Sequence, residues 1–257
     1  HPDPTVKRQS GLSKPQLNNS SILGSSFSLP YYQVIAENKD FTFRPRIFDG
    51  DIKMLQNEYR QKNKNSSLIL DFAYIDGYKS SLENKKNSIS HLFANYEVDL
   101  KWENFTNSNF FLSLKKVSND TYLKIFDGSI FKSDVIPTNY DLLTSEAKLI
   151  LDNENYNFAA GFQSFENLSL SSSDRYQFIL PSYNFTKNLN VDNFDGSFNF
   201  YSSGSNNLKD TNNLRTSVIN DFEYNSADYY TRSGLKNNFN IYFKNLNSLG
   251  KNDPTYT

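Results

Sequence analysis

The residues able to do chemistry are few. The chain has 257 residues, two histidines and no cysteine. His1 lies in an extended lead, and His91 opens a stretch of alternating polarity far from it. Two distant imidazoles without thiolates do not make a zinc donor set. Ser90 adjoins His91, but neighbours on a strand point to opposite faces, so they cannot pair as nucleophile and base. No glycine-rich phosphate loop occurs. The sequence therefore predicts a protein that is not an enzyme and holds neither metal nor cofactor. His91 reads as an interfacial or interior polar residue.

What remains is a set of charges inside otherwise apolar stretches. Arg44, Arg46, Glu58, Arg60, Glu97, Asp99 and Lys101 belong to it, as do Glu146, Lys148, Arg215, Asp221 and Glu223. The pattern is clearest where Leu92, Ala94, Tyr96, Val98, Leu100 and Trp102 alternate with Phe93, Asn95, Glu97, Asp99 and Lys101. A strand built this way has one oily face and one wet face. A soluble sheet packed on a core would share the pattern. Here it recurs on Tyr- and Phe-rich segments about ten residues long, the length of a tilted strand crossing a bilayer. An Arg or Lys on the lipid face would cost about 2–4 kcal/mol near the midplane. These side chains are therefore expected to face a wet interior. Two readings fit them: solvation of a lumen with cross-strand ion pairs, or a track for the polar head of an amphiphile.

The elements that must carry these residues follow from composition and period. Net charge is −1, from 27 basic and 28 acidic residues, which argues against a nucleic-acid binder. Hydrophobic residues make up 37% and aromatics 16%, which suits strands with one apolar face and aromatic girdles. No run of eighteen apolar residues exists, so no helix is predicted to span a membrane. Period-two alternation marks about twelve strands. They lie near 22–35, 40–48, 52–62, 67–75, 92–102, 110–114, 143–151, 156–162, 176–180, 194–200, 214–224 and 239–243. The third is weakly alternating. A non-periodic loop is expected at about 117–139, with a short helix at 121–126.

Two prolines interrupt apolar alternation: Pro30 in the first segment and Pro45 in the second. Proline lacks the ladder N–H and is confined to edges, strand starts and bulges. Each proline fits a strand end, or together they mark a seam with weakened pairing. The chain starts without an initiator Met and is expected to be a piece of a longer protein. Residues 1–21 are expected to be an extended lead and 22–257 a partial barrel.

Several motifs resemble a known family. The run Asp3-Pro4-Thr5-Val6-Lys7-Arg8-Gln9-Ser10-Gly11 is followed by Ser28-Leu29-Pro30-Tyr31-Tyr32, by Ile35-Ala36-Glu37-Asn38-Lys39-Asp40-Phe41-Thr42-Phe43-Arg44-Pro45 and by Glu58-Tyr59-Arg60. In order and spacing these resemble the start of the barrel in the LPS-assembly protein LptD family, also called organic solvent tolerance protein. Val117-Ser118-Asn119-Asp120-Thr121-Tyr122-Leu123 is similar to a further family segment. Leu12 and Glu37 depart from the family's usual Phe and Pro.

The resemblance implies an antiparallel meander forming part of a large transmembrane outer-membrane β-barrel in a Gram-negative bacterium. The implied role is insertion of lipopolysaccharide into the outer leaflet through a lateral gate, with Pro30 and Pro45 as its weakening residues. The implied partners are lipopolysaccharide, membrane lipids, an LptE-like lipoprotein plug, and a periplasmic Lpt bridge protein that acts through a jellyroll domain preceding residues 1–21. Two other expectations stay open. One is a porin-like diffusion channel, in which the prolines have no role; the other is a soluble β-sandwich binding module.

Overall fold

The computed structural model describes residues 8–79, 86–170, 173–189, 195–210 and 212–253. His1, residues 3–7 of the first motif and Phe194 lie outside the described residues. The strands in order are β1 (Gly11–Leu12), β2 (Gln16–Ser20), β3 (Gly24–Ser28), β4 (Tyr31–Ala36), β5 (Lys39–Phe48), β6 (Lys53–Lys62), β7 (Ser66–Lys79), β8 (Lys86–Asp99) and β9 (Asn107–Val117). One turn of helix, α1 (Tyr122–Ile125), precedes β10 (Leu142–Asp152), β11 (Tyr156–Asn167), β12 (Tyr176–Leu189), β13 (Gly196–Lys209) and β14 (Asn213–Ser226). A two-stranded ribbon, β15 (Tyr229–Tyr230) with β16 (Lys236–Asn237), precedes β17 (Asn240–Lys251).

As the alternation predicts, the chain is an all-β antiparallel meander. Hydrogen-bonded order follows chain order from β4 through β14 to β17; β1 lies on β4, and the β2–β3 hairpin joins at β5. The segment expected at 22–35 is two strands rather than one, because Leu29 and Pro30 leave the ladder. The weakly alternating third segment is β6, an ordinary strand whose buried face carries Gln56 and Glu58 in place of apolar residues. The ribbon escapes the sequence reading because two-residue strands are too short to show a period.

The chain forms two compact units. The first holds the described residues up to 98, with 112–145 and 167–170. Its sheet is inverted relative to a soluble protein. On one face of β5 to β8, Phe43, Ile47, Leu55, Tyr74 and Leu92 are exposed. On the other, Arg44, Arg46, Gln56, Glu58, Asp71 and His91 are buried. The cover is the segment 118–141, here called the strap. Asn119 Oδ1 accepts from the Thr121 amide at 2.9 Å and its hydroxyl at 2.8 Å, setting the turn that starts α1.

A helix of one turn has no stability of its own. It is held because Tyr122, Leu123 and Phe126 are buried, as is Val135 further along the strap. Phe126 packs on Phe48 and Tyr78, with ring centroids 5.9 and 5.7 Å apart. Full burial of a Leu, Val or Phe is worth about 1.5–3 kcal/mol each.

The second unit holds 99–111, 146–166 and the described residues from 173 on. Its strands are mostly half-buried, and β17 is largely exposed. Its aromatic rings form a row at one end of the strands. Trp102, Phe105, Tyr156, Phe185, Phe200 and Phe222 follow one another at centroid distances of 6.0, 6.1, 6.1, 6.2 and 4.6 Å. Phe198 and Tyr224 add a further pair at 4.5 Å.

Candidate functional site

Two features of the first unit stand out: a break in a β-ladder and a buried polar cluster beside it. The break lies where β3 and β4 meet β5. Pairing runs from Ala36↔Lys39 to Tyr31↔Phe43 on β4, and from Ser28↔Arg46 to Ser26↔Phe48 on β3. The register is the same on both sides, so Leu29 and Pro30 lie opposite Pro45 and Arg44 without joining the ladder.

Hydrogen-bond parity shows which donors are missing. The Phe48 amide donates to Ile52 O at 3.1 Å and the Lys62 amide to Asn38 O at 2.9 Å, so even-numbered residues of β5 bond toward β6. The Asp49 amide donates to Ser25 O at 2.8 Å, so odd-numbered residues bond toward β3 and β4. Pro45 therefore removes a donor from the β3/β4 side, while the β5–β6 ladder passes through Pro45↔Leu55 unbroken. The Ser28 hydroxyl partly compensates by donating to Pro45 O at 2.6 Å. Pro30 lacks its donor on the opposite side of its strand, toward β1, where its carbonyl accepts from the Ser13 amide at 2.8 Å. Two successive ladders thus each lack a bond.

The polar cluster spans four strands. Asp71, fully buried, is its centre. It accepts from Gln56 Nε2 at 3.0 Å, faces Arg44 Nη1 at 3.5 Å and lies 2.7 Å from His91 Nε2. Arg44 also pairs with Glu58 at 3.2 Å. His91 Nδ1 is 2.6 Å from the Tyr122 hydroxyl, which ties the strap to β8. Burial, reinforced by the nearby Asp71 charge, pushes the Tyr122 hydroxyl well above its usual range, so it stays neutral. Gln56 grips the strap through both backbone groups of Phe131: its Nε2 donates to Phe131 O at 3.1 Å, and its Oε1 accepts from the Phe131 amide at 2.8 Å. The guanidinium carbons of Arg44 and Arg46 each lie 5.2 Å from the Phe131 ring centroid. The cluster can fix the strap and hold charge out of water. It has no nucleophile open to solvent.

The structure thus brings Arg44, Arg46 and Glu58 together and sets Pro30 and Pro45 beside them. Arg60 is half-exposed at the rim, bonded to Asp40 at 2.9 Å. Glu97 is exposed and on the same parity of β8 as His91. Asp99 ends β8 and pairs with Lys101, which sits beyond the strand at positive φ. That pair lies at the end of the strand, away from the cluster. Sequence reasoning missed Asp71, Gln56 and the joining of His91 to Tyr122. Asp71 left a signal, as the one acid within the apolar run from Leu68 to Ile75. The His91–Tyr122 contact left none, since it depends on how the strap folds back.

No family model matches the chain. It is similar to the LPS-assembly protein LptD of Idiomarina loihiensis, at 28% identity over 58% of this chain and 18% of that protein. It is likewise 28% identical to the LPS-assembly protein LptD of Actinobacillus pleuropneumoniae, over 70% of this chain and 22% of the relative. For the LPS-assembly protein LptD of Cupriavidus necator the identity is 28%, over 71% and 20%. The chain is LptD-like. It spans about a fifth of the length of the curated relatives it matches. The motifs of the LptD family quoted from the sequence fall on β1, on the end of β3 with Pro30, on the β4–β5 hairpin as far as Pro45 within β5, on β6 and on the start of the strap.

Proposed function

We propose that the chain is the first part of an outer-membrane β-barrel that assembles lipopolysaccharide into the outer leaflet, in a Gram-negative bacterium. The observation that carries this reading is the inverted sheet of the first unit: exposed Phe43, Ile47, Leu55 and Tyr74 on one face, buried Arg44, Gln56, Glu58 and Asp71 on the other. In water such a face costs solubility; against hydrocarbon it is the stable arrangement. The aromatic row of the second unit suits a membrane–water interface. A soluble β-sandwich would need the opposite burial. A diffusion channel would leave the polar face of β5 to β8 open to water, where this chain lays the strap.

In this reading the polar head of the lipid travels on the wet side and its acyl chains leave through the seam at Pro30 and Pro45. Each missing N–H lowers the cost of parting neighbouring strands by about one ladder bond, on the order of 0.5–1.5 kcal/mol. An LptE-like lipoprotein and a periplasmic bridge would serve the longer protein of which this chain forms part. The test is replacement of Pro30 and Pro45 by Val in the full-length protein. Surface lipopolysaccharide should appear more slowly and detergent sensitivity should rise. Unchanged delivery and unchanged sensitivity would refute a role for the seam.

A further inference from the structure

Arg46 is 2% exposed, yet among the described residues no carboxylate lies within ion-pair distance of it. Its neighbours in the cluster are neutralised: Arg44 by Glu58 and Asp71, Arg60 by Asp40. Arg46 instead donates to Ser26 Oγ at 3.0 Å and Gln16 Oε1 at 3.2 Å, and its Nε has no partner. A buried cation without a counter-charge is costly, and an anion bound nearby would offset that cost. Two of the groups that Arg46 touches, Gln16 and the Phe131 ring, line a cavity of about 970 Å³ between β2 and the strap. Lys132 and Ser133 line it too. The buried Ser133 hydroxyl has no partner. The acid of the cavity, Asp127, is engaged by the Tyr140 hydroxyl at 3.0 Å.

We propose that this cavity binds a phosphoryl group. Lys132 supplies charge on the lining and Ser133 donates a hydrogen bond, while Arg46 adds a second positive charge from behind Gln16 and the Phe131 ring. One cation and one hydroxyl donor on the lining, backed by a second, buried cation, suit a phosphoryl group, with its greater charge, better than a singly charged carboxylate. The remaining lining includes Leu123, Ile130 and Ile136, so an alkyl-bearing phosphate fits better than the free ion. The choice of a lipid phosphate rests on the lipid-assembly reading above; the anion site itself does not.

The test uses the full-length protein in detergent, titrated with phosphatidic acid, with the matching diacylglycerol and with inorganic phosphate. Phosphatidic acid should bind saturably and diacylglycerol should not. Lys132→Gln should weaken binding about ten-fold or more, the loss expected for one charge-assisted bond, and Arg46→Gln, whose charge acts through the wall, should weaken it by less. Competition by inorganic phosphate would assign the site to the free ion as well; its failure to compete would assign it to lipid alone. Equal binding of the two lipids would overturn the proposal. So would unchanged affinity in both variants with unaltered unfolding temperature. Lys132 is exposed, so its variant carries the test if Arg46→Gln does not fold. The readout is binding and not delivery, so failure here leaves the assembly reading standing.

Discussion

The two units use the same strand grammar and bury it differently. In the first, the chain covers its own sheet: the strap closes over β5 to β8, and every buried hydrophobic side chain among the described residues belongs to this unit. In the second, long strands of similar alternation have no such cover among the described residues. Their aromatic rings adjoin one another along the strand ends, mostly tilted, and Phe222, Ile241 and Phe243 stay exposed. Alternation therefore fixes where a side chain points but not what meets it. One unit is stabilised by its own packing; the other leaves its apolar side chains exposed, which in the proposed reading the membrane would cover.

The largest effect expected from this contrast is on ring truncation. Phe126→Ala should destabilise the first unit by about 3–5 kcal/mol, since it opens a cavity beneath Phe48 and Tyr78. Phe200→Ala removes a half-buried ring that abuts Phe185 and Phe222, and should cost about 0.5–1.5 kcal/mol. Hydrogen exchange on the full-length protein would report both, read at the amides of α1 and of β13. Comparable losses at the two sites would erase the distinction between a packed and an unpacked unit.

The sequence carried most of the fold because period two survives wherever one face meets water or lipid. It carried less of the site. Phe93 looks misplaced among Asn95, Glu97 and Asp99, yet it is fully buried and stacked 4.4 Å from His91 under the strap. Its type was a sign of cover on that face, readable only once the strap's path was known. Arg44, Arg46 and Glu58 were legible as interior charges because their parity opposes an apolar one. The clasp between Gln56 and Phe131 joins residues far apart in the chain, and no periodicity encodes such a pairing. The prolines were legible as ladder defects; which ladder each one weakens required the hydrogen-bond parity of β5.

A middle-sized effect should come from polar contacts. Gln56→Ala leaves the Phe131 amide and carbonyl, together with part of Asp71, without partners in a buried setting, at a cost of about 1–3 kcal/mol. Asn220→Ala in the second unit removes a 2.8 Å bond from the Ser202 hydroxyl at a half-buried position, where water can substitute, and should cost about 0.5–1.5 kcal/mol. Chemical denaturation of the two variants of the full-length protein would rank them. The reverse order would mean that the strap is held by its apolar side chains alone.

The smallest effect sharpens the comparison most, because the same chemistry sits in both units. Lys124 pairs with Asp141 on the strap, and Lys236 pairs with Asp228 beside the β15–β16 ribbon. In each case the lysine bond holds the aspartate carboxyl below its usual range, with Ser169 assisting at Asp141 and Asn238 at Asp228. A depressed carboxyl stabilises the folded state above its ordinary value, about pH 3.9, and that contribution is lost as pH falls through the lower folded value. The ribbon has two residue pairs and no core, so acidification below that range should release it. The strap keeps Tyr122, Leu123 and Phe126 buried whatever the charge on Asp141, so it should stay closed. Exchange at Tyr229 and Tyr122, each compared at matched pH with Asp228→Asn and Asp141→Asn, cancels the intrinsic dependence of the rates. Release of the strap along with the ribbon would mean that an exposed ion pair, rather than the buried rings, decides whether the polar face is covered.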